Sequence, residues 1–118
     1  MAVIAWQKET TPFDGGALAL FKWLAMAAGD TGQPISCGAY PDKTVHVLGT
    51  FGGTVTIQGT LDPAAGTYAT LNDPQGNALT YTAEKIENVL EHVYLIRPSV
   101  GAGAGPVDVW LLCATGGR

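Results

Sequence analysis

Apolar and polar residues alternate in short runs through the middle of the chain, a pattern typical of strands with one buried face. The run KTVHVLGTF directs Val45 and Val47 to one side, and GTVTIQGT repeats the pattern with Val55 and Ile57. The glycine pair at 52–53 between the runs can adopt the positive φ angles of a tight turn. The pattern therefore predicts two half-buried antiparallel strands that form a hairpin.

The run VDVWLLCAT, Val107–Thr115, predicts a further strand with an unusual property, because both of its faces are largely apolar. One face must pack on the core, and the other needs a second cover. The two faces consist of Val107, Val109, Leu111 and Cys113 on one side, and of Asp108, Trp110, Leu112 and Ala114 on the other.

The rest of the second half predicts more short strands separated by turns rich in glycine, proline and asparagine. We expect a strand at 79–82, an irregular or single-turn crossing around 84–88, and a strand over 89–100 that leads into the loop GAGAGP. About six to eight strands at such spacing predict an all-β fold, an antiparallel β-sandwich of jelly-roll type.

Residues 17–32 fit two structures. Alanine, leucine, lysine and methionine favour a helix, which Asp14 would cap and Gly29 would end. A strand is the other interpretation, preferred for the Trp23 end, while helix or strand stays open for 17–22. As a strand, the segment would place Leu18, Leu20, Leu24 and Met26 on one face and Phe21 and Trp23 on the other.

Residues 1–16 are predicted to form an extended N-terminal arm, and residues 17–118 the β-sandwich domain. Thr10, Thr11 and Pro12 disfavour regular structure in the arm. Trp6 requires an apolar surface to pack against. Both a neighbouring subunit and the chain's own sheet remain open as that surface.

Charged residues make up only 14% of the chain, against about 25% in average soluble domains. Such a surface is easier to explain if a partner covers part of it. The net charge of −4 argues against binding to nucleic acid. No segment has the length or the basic start of a membrane anchor or signal peptide, so we expect synthesis in the cytosol with Cys37 and Cys113 as reduced, buried thiols.

Few residues are available for chemistry. His46 and His92 lack further ligands at metal-binding spacing, and the glutamates at 84, 87 and 91 are better explained by a solvated face than by a cation site. With two serines and no G-x-S-x-G motif, we expect no catalytic residues, no metal, no cofactor and no enzyme activity.

Four stretches carry a resemblance to a known family: Trp23–Ile35, Lys43–Asp62, Leu71–Val89 and Tyr94–Gly105, with GDTG, GTFGG, DPQGNAL and RPSV as their most specific pieces. Together they resemble small virion proteins of tailed bacteriophages that are similar to capsid cement or decoration proteins. The resemblance implies a strand at the Trp23 end. It also implies a protein that binds the outside of the major capsid shell and stabilises it.

The expected partners are the major capsid protein and further copies of the chain, as a homodimer or homotrimer, with no nucleic acid and no membrane. The expected location is the capsid exterior, after synthesis in the host cytoplasm. Large aromatic side chains dominate interface energetics, so the predicted contact residues are Trp6, Phe13, Phe21, Trp23 and Trp110.

Ordinary core packing remains an alternative for Trp23 and Trp110. A glycan-binding virion surface module is an alternative function, and so is a head–tail connector or tail component. The candidate sugar platforms are Trp6, Tyr40, Tyr68 and Tyr81.

Overall fold

The computed structural model describes residues 2–9, 18–62, 64 and 66–115, which form twelve β-strands and no α-helix. This confirms the predicted all-β class. No helix in this part of the chain is long and apolar enough to cross a membrane. The strands are β1 (Val3–Ile4), β2 (Gln7–Lys8), β3 (Leu18–Met26), β4 (Thr31–Gly32), β5 (Ile35–Ser36), β6 (Asp42–Gly49), β7 (Val55–Thr60), β8 (Ala69–Thr70), β9 (Thr80–Tyr81), β10 (Lys85–Val89), β11 (Leu95–Val100) and β12 (Val107–Ala114).

Two sheets pack face to face. The five-stranded sheet has the order β10-β6-β12-β3-β2, and the seven-stranded sheet has the order β1-β4-β11-β7-β8, with β5 beside β11 and β9 beside β7. The strands from β3 onward can be renumbered one to eight if β4–β5 and β8–β9 are each counted as a single strand. In this numbering the five-stranded sheet has its main strands in the order six, three, eight, one. The seven-stranded sheet has the order two, seven, four, five. This is the strand order of a jelly roll, as predicted.

Residues 18–22, for which helix and strand were both left open, belong to β3 (Leu18–Met26), which pairs with β12. Ala25 has a φ of 55° and shifts the register against β12, and its backbone N–H donates to Asp108 Oδ1 at 2.8 Å. This β-bulge turns Met26 into the core. The prediction that Met26 shares the face of Leu18 was therefore wrong.

The predicted hairpin around 52–53 was wrong, because β6 and β7 belong to different sheets. Gly52 and Gly53 instead allow two crossing loops to touch. A Cβ on Gly52 would lie 2.5 Å from the carbonyl oxygen of Gly103, and one on Gly53 would meet the carbonyl oxygen of Ala102. The glycines are needed for this close approach rather than for a tight turn.

Two further boundaries differ from the prediction. Residues 85–89 form a regular strand, β10, paired with β6, where an irregular crossing was expected. The next strand begins at Leu95 rather than at residue 89.

The core lies between the sheets and contains the inward residues of the strands. The predicted alternation is confirmed for β6, β7 and β12, whose Val45, Val55 and Val109 are buried. Trp23 is only 1% exposed, and its Nε1–H donates to the Gln33 carbonyl at 3.0 Å. The rest of the inward set includes Ala19, Phe21, Val47, Ile57, Ile96, Val107, Leu111 and Cys113.

The described part of the predicted arm packs against its own chain. β1 pairs in parallel with β4 in one sheet, and β2 pairs with β3 in the other. The Trp6 ring packs edge-to-face on Phe21, with the ring centroids 5.2 Å apart. Of the two surfaces that were left open for Trp6, the side chain packs on the chain's own sheet. The predicted contact residue Phe13 lies outside the described residues.

Candidate interaction surface

The side of the five-stranded sheet that points away from the core, here called the outer face, carries apolar side chains interspersed with polar ones. Leu112 is 38% exposed and Ile86 is 61% exposed, while the other apolar members are half-buried by their neighbours. Apolar side chains left uncovered on a sheet face mark a candidate interaction site. The apolar residues of the outer face are Leu18, Leu20, Leu24, Leu48, Ile86, Trp110, Leu112 and Ala114.

A row of polar and aromatic side chains crosses the middle of the outer face. Strand register places Trp110 of β12 between Lys22 of β3 and His46 of β6. Lys22 Nζ lies 4.4 Å from the Trp110 ring centroid and 3.1 Å from the Glu9 carboxylate. On the other side, the His46 ring meets Trp110 edge-on at 5.6 Å, and its Nε2 lies 3.0 Å from the Glu84 carboxylate.

This row holds the indole of Trp110 in place on the surface. The cation–π contact with Lys22 and the edge contact with His46 restrict the ring from both sides. The Trp110 Nε1–H is shielded from solvent by its neighbours and has no hydrogen-bond partner among the described residues. The centre of the outer face is therefore a fixed indole ring, with the Lys22–Glu9 pair on one side and the His46–Glu84 pair on the other.

The structure separates the predicted contact residues into two groups. Phe21 and Trp23 lie in the core, which is the alternative kept open for Trp23. Trp6 is half-buried over Phe21, and its Nε1–H donates to the Pro34 carbonyl at 3.3 Å. Trp110 alone of the four described aromatics belongs to the outer face, so these residues do not form one cluster.

A polar pocket of about 370 Å³ lies beneath β9 and β10, lined by Asp73, Asn77, Tyr81, Lys85 and Glu87 among others. Asp73 Oδ1 accepts the backbone N–H groups of Gln75 and Asn77, both at 2.9 Å. The bond from the Asn77 backbone is the main reason why the pKa of Asp73 is lowered. Its carboxylate is thus committed to the turn that it closes.

A second hollow of about 440 Å³ is mostly apolar and lies beside Tyr68. The Arg97 guanidinium carbon is 3.8 Å from the centroid of the Tyr68 ring, which it covers. Among the glycan-platform candidates, the Tyr68 hydroxyl and the whole of Tyr81 are buried, and Trp6 and Tyr40 pack on the core. The structure does not bring these four aromatics together on one surface.

The acidic run does not converge on a single point. Glu84 reaches His46, while Glu91 accepts the backbone N–H and the side-chain amide of Asn72 at 2.8 and 2.7 Å. Burial would raise the pKa of Glu91, but these hydrogen bonds outweigh it, so the pKa is lowered. Among the described residues, no group of three or more His, Cys, Asp or Glu side chains is placed to hold a metal ion.

Both cysteines are buried, as predicted, and they lie near Lys43. Burial raises the pKa of Cys37 to about 11 and that of Cys113 to about 12, against the opposing charge of Lys43. Lys43 is 0% exposed, and its ammonium donates to the Tyr40 carbonyl at 3.0 Å. Sequence reasoning missed this buried lysine, although its position in phase with Val45 and Val47 marked it as inward-facing.

No family model matches the sequence, and no curated protein sequence matches it. Solved structures are similar in fold. YomS, derived from the SPBc2 prophage, is 12% identical with a TM-score of 0.64, over 86% of this chain and 98% of that chain. KdgF from Halomonas sp. is 10% identical with a TM-score of 0.49, over 92% of this chain and 76% of that chain. At 12% identity, the likeness to YomS concerns the fold alone.

Proposed function

We propose that this chain is a structural protein of a tailed-phage virion, a cement or decoration protein that binds the outside of the major capsid shell and stabilises it. The observation that carries the proposal is the outer face, with Trp110 at its centre and Leu112 and Ile86 exposed beside it. Two facts support the viral setting: the sequence resembles virion proteins, and its fold is shared with a prophage-derived protein.

The physical properties of the chain suit this role. A sandwich with two sheets and a continuous core is stiff, and it can transmit load between subunits of a shell. Burial of apolar surface favours protein association, so the apolar side chains of the outer face are a source of binding energy. A lattice of copies also binds through many contacts at once, which makes modest individual contacts sufficient.

The proposal requires neither catalysis nor a cofactor, and it places the protein on the capsid exterior after synthesis in the host cytoplasm. The negative net charge of the chain is compatible with that side of the shell, because packaged DNA lies on the other side. The proposed partners are the major capsid protein and further copies of the chain.

The experiment is to purify virions, measure the abundance of this chain against the major capsid protein, and label intact particles with a membrane-impermeant amine reagent. Lys85, whose side chain is 60% exposed, should react while internal virion proteins do not. We expect a copy number comparable with that of the major capsid protein. Absence from virions would overturn the proposal, and a copy number of one small ring would favour a connector instead.

A functional measurement completes the test. Heads that lack this protein should bind the purified chain, and they should resist heat or DNA-pressure rupture better once it is bound. Heads that gain no resistance on saturation would show that the chain is not a cement protein.

A further inference from the structure

We infer that the outer face is covered by a second copy of this chain, in a twofold face-to-face dimer whose axis runs along β12. The inference rests on the proposed function, which counts further copies of the chain among its partners. It assigns the outer face to a second copy, so that capsid binding falls to the rest of the surface. The dimer is nevertheless a property of the purified chain and needs no capsid to be observed.

The area of the outer face suits a dimer of this kind. The five strands contain 2, 9, 8, 5 and 8 residues, and at about 3.3 Å per residue and a strand spacing of about 4.8 Å they give a flat area of roughly 500 Å². A standard stable interface buries about 800 Å² of accessible surface per partner, measured over the side-chain relief. One face of this sheet therefore supplies nearly a whole interface. Two such faces would pack about 10 Å apart, as sheets do within a sandwich.

The edges of the same sheet disfavour the other common mode of association. Its two edge strands, β2 and β10, carry exposed charged residues, including Lys8, Lys85 and the neighbouring Glu84. Charges on edge strands oppose strand-to-strand pairing between molecules. Because the edges are protected and the face is apolar, self-association is directed to the face.

The charges across the face select the direction of the axis. Lys22 lies one strand to one side of Trp110, and the His46–Glu84 pair lies on the other side. An axis along β12 exchanges the two sides, so that Lys22 of one copy faces His46 of the other, together with the Glu84 carboxylate bound to it. An axis across the strands would instead place Lys22 against its own copy. The axis along β12 is therefore the one that sets Lys22 against the His46–Glu84 pair. It also brings Trp110 against Trp110 and places Asp108, whose Oδ1 accepts the Ala25 backbone N–H, against its own copy.

The same axis sets which residues meet their own copies. Outward residues of β12 lie on the axis, so Leu112 of one copy faces Leu112 of the other. Residues of the flanking strands face different residues. This difference makes Leu112 the most direct probe of the dimer.

The first experiment is sedimentation equilibrium of the purified full-length chain and two variants. The unsubstituted chain should have twice the mass of the monomer, and Leu112→Glu should raise the dissociation constant at least tenfold. Leu61→Glu is the matched control, because Leu61 is 73% exposed but lies outside the outer face; it should remain dimeric. A monomeric unsubstituted chain, or a fully dimeric Leu112→Glu, would overturn the inference.

A second pair of variants keeps the test valid even if Leu112→Glu fails to fold. Leu112→Cys should crosslink to itself with a short bismaleimide, and Leu61→Cys should not, since Cys37 and Cys113 are buried and unreactive. Equal crosslinking of both variants, or of neither, would contradict the placement of Leu112 at the axis.

The axis itself is tested by a charge exchange. Lys22→Glu should weaken the dimer several-fold through repulsion of Glu84 across the interface, and addition of Glu84→Lys should restore it. No restoration would refute the axis along β12. The outcomes also separate the two proposals. If the purified chain is a monomer that still binds heads to saturation, the dimer is wrong and the cement role stands. If it is a dimer that does not bind heads, the cement role is wrong and the dimer stands.

Discussion

Replacement of Gly32 by alanine should destabilise the sandwich at the junction of its two sheets. Gly32 lies on β4, and a Cβ there would be 2.5 Å from Pro98 Cδ and 2.6 Å from Trp23 Nε1. Neither neighbour can move easily, because the proline ring is buried within β11 and the indole is buried and hydrogen-bonded to the Gln33 carbonyl. The added methyl group must therefore displace packed side chains.

The size of the effect follows from overpacking, which costs about 1–3 kcal/mol in a well-packed core. Glycine-to-alanine changes also stabilise by about 0.4–1 kcal/mol through the unfolded chain. A control with the same unfolded-state effect is Gly38→Ala, where the new Cβ would lie 3.6 Å from Tyr94 Cδ1, an ordinary contact. The difference between the two variants isolates the steric cost in the folded state.

The assay is thermal unfolding of both variants by circular dichroism. For a chain of 118 residues, an unfolding entropy of about 2.1 cal/mol/K per residue converts 1–3 kcal/mol into a Tm difference of about 4–12 °C. Gly32→Ala should melt lower than Gly38→Ala by that amount. If the two variants melt together, or Gly32→Ala melts higher, the packing described around β4 is wrong.

Two further predictions concern titratable groups. Cys37 and Cys113, with pKa values of about 11 and 12, should resist alkylation at pH 8 in the folded protein and react fully in denaturant, measured by mass spectrometry; rapid modification of the native chain would contradict their burial. The lowered pKa of Asp73 in the folded state stabilises the protein above the ordinary Asp pKa near 3.9, and this stabilisation is lost as the pH falls through the folded-state value. Asp73→Asn keeps the Oδ1 acceptor but removes the charge, so its Tm should fall less steeply than that of the unsubstituted chain as the medium is acidified below pH 5; parallel curves would exclude Asp73 as a source of acid sensitivity.

The accuracy of the sequence-based predictions depended on whether each feature is local. Alternation in β6, β7 and β12 is local, so the inward residues were identified correctly. The partner of a strand is not local. The chain between β6 and β7 therefore looked like a hairpin, although it crosses between sheets. β10 was missed because it is an edge strand in which Lys85, Ile86 and Asn88 are exposed and only Val89 is buried, so apolar and polar residues do not alternate along it.

The candidate surface was predictable only in part. The apolar character of both faces of β12 indicated that the outward side needs a cover, and Trp110 was among the predicted contacts. The row from Lys22 to His46 could not be predicted, because these residues become neighbours only through strand pairing across most of the sequence. The bulge at Ala25 depends on Asp108 in the same way.

The position of β12 has a consequence for synthesis. It comes last in sequence among the described strands and yet is the central strand of the five-stranded sheet, where it separates β3 from β6. Nascent chains on the ribosome therefore hold two strands with open inner edges until residues 107–114 emerge. Because these pairings span most of the sequence, the sheet assembles late and at once. A chain truncated before residue 107 would lack the middle strand of this sheet and would be prone to aggregate.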